Sequence, residues 1–297
     1  MASRLHHARS LAHAVTSWSA RRLGYDLRRS DDFYSPLPEL ESLPDELWRE
    51  PATMHGIDLG IDRALDLLEG ELRAFLEEFS GPRGPLAGGY QMPNGFYGSL
   101  DSAVLHAIVR WRRPARVVEL GSGNSSLLIA HALECNRADG FETRYQIFDP
   151  FPFHGGGRVP APASAEVSAV AAQRVPLAAF EELGESDVLF VDTTHTVKTG
   201  GDVTRIVLEV LPALRPGVTV HFHDVFLPYE YPRSWLMELQ RAWAEQYLLQ
   251  AFLAYNAGVE VVMPCHAVSR SDPERVARII APDGGIAPPA AFWIQRR

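Results

Sequence analysis

From about residue 100 onward, short apolar runs alternate with helical stretches, and this alternation restricts the chain more than any other feature. Runs lie at 116–120, 145–149, near Arg174-Val175, and at 188–192, 218–223, 259–263 and 291–294. Between them the spacing predicts helices over 101–112, 125–135, 164–172, 200–214 and 233–255. Near-continuous apolar strands mark a sheet buried on both faces, and helical connections make it mostly parallel. The expected fold is α/β, a Rossmann-like seven-stranded mostly parallel sheet with helices on both faces. Upstream, 31–55 is rich in Pro, Asp, Glu and Ser and reads as a linker. Ile61, Leu65, Leu68, Leu72, Phe75 and Leu76 mark one face of a helix over 60–79, stopped by Gly81-Pro82 and Gly84-Pro85. This divides the chain into an N-terminal helical and loop extension, 1–95, and the sheet domain, 96–297.

Charge narrows the partners. With 28 basic and 37 acidic residues the net charge is −9, which argues against nucleic acid or an anionic membrane. The tract Arg110, Arg112, Arg113, Arg116 reads as the solvated end of a helix. Two distant cysteines, Cys135 and Cys265, do not make a disulfide framework and point to a reducing, cytoplasmic setting. No apolar run reaches the roughly 18 to 20 residues of a membrane span. The N-terminal stretch with Arg4, His6, His7, Arg9, His13, Arg21 and Arg22 lacks the apolar core of a secretory signal and reads as a helical arm. Whether the chain forms a homo-oligomer is left open.

Ligands of open α/β sheets bind beyond the carboxyl ends of the strands. Four of the five core strands end there in acid or imidazole: Glu119, Asp149, Asp192 and the pair His223-Asp224. After Glu119 comes Leu120-Gly121-Ser122-Gly123-Asn124-Ser125-Ser126. Two glycines allow a tight turn and a close backbone approach to a ligand, and the next helix offers its N-terminal amides. A dinucleotide fingerprint would require glycine where Ser126 stands. Asp149 can accept both hydrogen bonds of a ribose diol. His221 and His223 share a strand face. Asp192, His195, His223 and Asp224 converge on one edge, where they could bind a divalent cation or hold a catalytic base.

Three stretches carry a family resemblance: Val117 through Ser126, then Val191-Asp192-Thr193-Thr194-His195, then Val220-His221-Phe222-His223-Asp224-Val225-Phe226 with Pro228, Tyr231 and Pro232. The segment Glu245-Gln246-Tyr247-Leu248-Leu249 adds to it. Over 100–297 the chain resembles class I S-adenosylmethionine-dependent methyltransferases, in particular the bacterial methyltransferase family 24 group. The resemblance implies S-adenosylmethionine as the cofactor, with Glu119, Gly121, Ser122, Gly123, Asn124 and Ser125 at its methionine part and Asp149 at its ribose. Asp192, Tyr97 and Asp101 are further cofactor-binding candidates, with Ser99 beside them. In related metal-dependent O-methyltransferases the acids after the fourth and fifth strands bind magnesium. Asp192 and Asp224 match those places, and His223 stands where a second acid is expected. An imidazole there favours Mn, Fe or Zn over Mg.

The expected activity is methyl transfer to a hydroxyl of a small-molecule substrate, with His195, His223 and Asp192 as the catalytic candidates and Asp192, His223 and Asp224 as the metal candidates. Phe151, Phe153, His154, Phe226, Tyr229, Tyr231 and Trp235 are candidates for an acceptor pocket. A metal-dependent oxygenase using His223, Asp224 and Asp192, an NAD-dependent oxidoreductase, and a non-catalytic S-adenosylmethionine-binding protein remain the competing readings.

Overall fold

The structure, a computed structural model, describes residue 16 and residues 18–20, 22–25, 34–35, 37–87, 89–92, 97–153, 160–280 and 288–297. The arm residues Arg4, His6, His7, Arg9, His13 and Arg21, and His154 of the aromatic group, lie outside them. Two compact units emerge, Met1–Asp45 and Glu46–Arg297, and the helices of the expected extension fall in the second. Among the described residues no helix is long and apolar enough to cross a membrane. Both cysteines are free and buried.

The second unit runs α1 (Ile61–Glu69), α2 (Arg73–Ser80), α3 (Ser99–Arg112), β1 (Arg116–Leu120), α4 (Asn124–Ala138), β2 (Arg144–Phe148), β3 (Ala165–Ser168), α5 (Ala178–Glu181), β4 (Val188–Val191), α6 (202–213, with a π-type turn at Ile206–Val210), β5 (Thr219–Phe222), α7 (Arg233–Met237), α8 (Glu245–Leu253), β6 (Val259–Pro264), α9 (Cys265–Ser271), α10 (Pro273–Ile279) and β7 (Phe292–Arg296). The seven strands lie in the order β3-β2-β1-β4-β5-β7-β6. All neighbours are parallel except β7, which runs antiparallel to both β5 and β6.

Alternation along each strand divides the core between the two faces of the sheet. Val117, Tyr145, Ile147, Val188, Phe190 and Trp293 pack with α1 to α4 on one face. Val118, Leu120, Leu189, Val191, Val220, Phe222 and Ile294 pack with α6 and α8 on the other. Each fully buried Leu, Ile or Phe contributes about 1.5–3 kcal/mol relative to exposure. Glu119 and His221 sit on the first face, in register through Phe190.

Five expectations are corrected. The helix expected over 60–79 is two, because Gly70 closes the first turn-off with its amide on the Asp66 carbonyl. The helix expected at 164–172 is replaced by the edge strand β3, paired to β2 and tied across it by Arg144 to Glu166 at 2.9 Å, and the strand near Arg174-Val175 is a 3-10 turn at Ala172–Arg174. A four-residue strand with mixed polarity acquires its identity from its partner, which the local pattern does not record. The helix expected over 233–255 is interrupted between Met237 and Glu245. Finally, Arg110 is no solvated helix end. At 3% exposure it donates to both carboxylate oxygens of Glu78 (2.7 and 3.0 Å) and to Asp139 (2.8 Å), clamping α3 to α2 and to the end of α4.

Candidate active site

At the carboxyl edge of the sheet, the ends of β1, β2 and β4 are tied together. The Gly121 amide donates to the Phe148 carbonyl and the Asp192 amide to the Leu120 carbonyl, both at 3.0 Å. Gly121 has φ of +97°, and a Cβ there would lie 2.0 Å from the Asp192 carbonyl oxygen. Neighbouring backbone therefore demands this glycine. Gly123 is different: among the described residues an added Cβ meets nothing within 4 Å. Its missing side chain leaves an open cradle at the start of α4, where the Ser126 hydroxyl accepts from the Gly123 amide at 3.0 Å.

Glu119 has no exposed surface. Its Oε1 accepts from the hydroxyls of Ser125 and Ser126, each at 3.0 Å, and its Oε2 from the Tyr145 hydroxyl. Burial pushes the carboxyl up to about 7 against the pull of these donors. Glu119 thus braces the glycine turn from beneath, where the sequence suggested direct contact with a ligand. Ser122 and Asn124 are half-buried at the turn itself. Asp149 is half-buried beside them. It accepts from the Ser122 hydroxyl at 2.6 Å and from the Phe151 amide at 2.7 Å, which fixes the carboxylate and leaves further lone pairs on both oxygens.

The second group of residues gathers at the ends of β4 and β5. His195 Nε2 lies 3.2 Å from Asp192 Oδ1 and 3.5 Å from Asp224 Oδ2, and its Nδ1 lies 2.8 Å from Glu245 Oε2. His223 Nδ1 stands 3.4 Å from Asp224 Oδ1 and 3.9 Å from Asp192 Oδ2, and among the described residues neither of its ring nitrogens has a hydrogen bond of good geometry. One donor atom each from Asp192, His223 and Asp224 lie within 4.8 Å of one another. His195 and Asp224 both take positive φ, 54° and 57°. Non-glycine residues held in that region cluster at functional sites.

The charges are mutually dependent. Burial would raise Asp192, but the hydrogen bond to His195 and the charges of His223 and His195 pull it down to about 2. Burial would lower both histidines. The hydrogen bonds to Asp192 and Glu245 instead hold His195 well above its usual value, and Asp224 and Asp192 lift His223 to about 9. His221, deeper in the sheet, is pushed well down by burial and by His223. It stacks on Phe190 at 4.0 Å and meets the Tyr97 hydroxyl at 3.0 Å.

Two candidates lie behind the crevice. Tyr97 turns its hydroxyl to His221 and lays its ring on His223 at 4.6 Å. Asp101, 1% exposed, accepts from the Ala290 and Ala291 amides at 2.7 and 3.1 Å and anchors the approach to β7. Of the expected aromatics, Phe226, Tyr231 and Trp235 cluster together, and Phe151 is exposed. Trp243 joins that cluster and places its ring 4.3 Å from His195. Neither Trp243 nor Glu245 stood out as a site residue in sequence, because both sit in a stretch with uninterrupted helical character.

Residues 118–225, which span β1 to β5 and hold the glycine turn, Asp149, Asp192, His195, His223 and Asp224, match a family model described as a methyltransferase domain. An uncharacterized protein of Archaeoglobus fulgidus is 32% identical over 113 residues, 35% of this chain; the chain spans 49% of that relative's length. Among solved structures, the O-methyltransferase TomG of Streptomyces achromogenes, involved in tomaymycin synthesis and solved with SAM, is 15% identical, with 76% of this chain and 89% of that chain covered at a TM-score of 0.41. The plantazolicin methyltransferase BamL, solved with a desmethylPZN analog and SAH, is 11% identical, with 80% and 99% covered at a TM-score of 0.39.

Proposed function

With residues 118–225 taken as a methyltransferase domain, we propose that the chain is an S-adenosylmethionine-dependent O-methyltransferase acting on a small molecule. The observation that carries this reading is the placement of His195 Nε2 between Asp192 and Asp224, one strand from the glycine turn. A methyl donor and a proton acceptor are needed within one crevice, and these elements supply a place for each.

The residues fit the cofactor. Gly123 leaves the cradle that a Cβ would fill, and Asp149 is fixed with free lone pairs for a ribose diol. Bound there, S-adenosylmethionine supplies an electrophilic methyl on sulfonium. The residues fit a divalent cation as well, since among the described residues His223 has no hydrogen bond of good geometry at either ring nitrogen and lies with Asp192 and Asp224 in one cluster. Such a cation would lower the pKa of an acceptor hydroxyl, and the imidazole favours Mn, Fe or Zn over Mg.

His195 is the base. Its Nδ1 side faces Glu245, so a proton leaving the acceptor is taken at Nε2. Asp192, Glu245 and Asp224 hold the imidazole protonated, so Nε2 becomes free to accept only when the charge of Asp192 and Asp224 is otherwise neutralised. Positioning of the two reactants accounts for most of the remaining catalysis. Trp243 adjoins His195 and, with Phe226, Tyr231 and Trp235 clustered around it, shapes the acceptor side.

Calorimetry of S-adenosylmethionine binding to EDTA-treated protein, with and without Mg, Mn or Fe, tests the reading. Micromolar binding supports it. No binding under any of these conditions overturns it and leaves the oxygenase and a non-catalytic Rossmann-like domain as the readings.

A further inference from the structure

We propose that Glu245 is the positioning residue of His195. It holds the imidazole with its proton on Nδ1 and so presents Nε2 to the crevice. The proposal rests on the reading of His195 as the base.

His195 sits on the loop after β4 at φ 54°, where its own segment meets the ring at Nε2, through Asp192. Three consecutive residues from elsewhere in the chain hold the rest of it. The His195 carbonyl accepts from the amides of Ala244 (2.9 Å) and Glu245 (3.2 Å). Glu245 Oε2 lies 2.8 Å from His195 Nδ1. Trp243 covers the ring. Backbone, ring edge and ring face are each held by residues 243–245.

These contacts explain the interrupted helix. Residues 233–255 have strong helical character, yet α7 ends at Met237, Gln240 takes φ 54°, and α8 starts at Glu245. The first amides of a helix have no partner within it. Breaking the helix here turns two such amides toward His195. A local preference overridden at one place marks a functional demand.

Glu245 is 1% exposed, and among the described residues its Oε1 has no hydrogen-bond partner. A carboxylate chosen only to fasten a loop would have both oxygens satisfied. This one directs a single oxygen at one imidazole nitrogen. A carboxylate accepting from one ring N–H fixes the tautomer and thereby the role of the other nitrogen.

The test is NMR of the full-length protein labelled with 15N-histidine, with His195→Gln to assign the resonance. The wild type is expected to show a slowly exchanging, strongly deshielded proton on His195 Nδ1. Glu245→Ala removes it. Glu245→Gln keeps the shape and one acceptor but loses the charge, so the proton stays on Nδ1 and moves upfield. A wild-type spectrum with no proton on Nδ1, a signal that survives Glu245→Ala, or one unmoved in Glu245→Gln overturns the proposal. Should Glu245→Ala fail to fold, Glu245→Gln decides. S-adenosylmethionine calorimetry on the same samples separates the two readings: absent binding sinks the methyltransferase assignment and leaves the Nδ1 result standing by itself.

Discussion

Gly121 packs against the backbone of Asp192 so closely that the carbonyl oxygen of the aspartate occupies the space of a glycine Cβ. The turn that closes β1 and the acid that ends β4 are one rigid piece. Gly121→Ala is therefore expected to destabilise the fold by on the order of 3 kcal/mol, through steric conflict and positive φ. Gly123→Ala meets open space and is expected to keep the melting temperature of the wild type while losing affinity for S-adenosylmethionine. Thermal melts and calorimetry on both variants check the contrast; equal melting temperatures would contradict it.

Asp149 is held by Ser122 and the Phe151 amide in a fixed orientation. Asp149→Ala is expected to weaken S-adenosylmethionine binding about 10- to 100-fold, the range of a hydrogen bond to a charged group. Unchanged affinity would remove Asp149 from the cofactor site.

Asp224→Ala and His223→Ala are each expected to abolish methyl transfer with cofactor binding kept. Transfer of label from S-adenosylmethionine to a small-molecule extract gives the first reading, and calorimetry the second. Full transfer in both variants would defeat the assignment of this cluster.

In EDTA-treated protein the cluster has a pH signature. His223 lies at about 9 in the folded chain against an ordinary 6.5. Its contribution is complete below 6.5 and is lost as pH rises through 9. His195 acts in the same direction. Asp192 at about 2 against 3.8 contributes above 3.8 and loses this as pH falls through 2. Denaturant titrations should show stability declining from pH 6.5 to 9, with a shallower decline in His223→Gln; an equal slope in both proteins would exclude His223 as a source.

Glu78 faces Arg110 and also meets His106 at 2.9 Å. Glu78→Ala leaves the buried guanidinium without that partner and is expected to cost about 3 kcal/mol, read as a lowered denaturation midpoint. A midpoint unchanged from the wild type would show that Asp139 and the Asn136 side-chain oxygen, which accepts from Arg110 Nη1, suffice.

Where a residue's function follows from its place at a strand end, the sequence discloses it. Asp149, Asp192, His195, His223 and Asp224 stand out because apolar runs stop at them or just before them, and six of the seven strands follow from the same runs. Direction of side chains is less legible. Glu119 looked outward to a ligand in sequence, yet it faces inward to Ser125, Ser126 and Tyr145, since strand alternation assigns a face without saying what covers it. Tyr97 and Asp101 were expected at the cofactor because they open α3, and both are engaged behind the histidines. Glu245 and Trp243 were hidden because their roles depend on a break that no glycine or proline announces. Strand β3 was missed for the related reason that pairing with β2, and not its own four residues, makes it a strand.

The antiparallel strand β7 separates β5 from β6, so neither can complete its pairing until Phe292–Arg296 arrives. During synthesis every earlier strand will have emerged while the site-bearing β5 still presents an open edge. Without β7, both β5 and β6 carry unpaired edges, the state in which strands from different chains join. Seating β7 covers the open edge of β5 and is what ties β6 to the sheet.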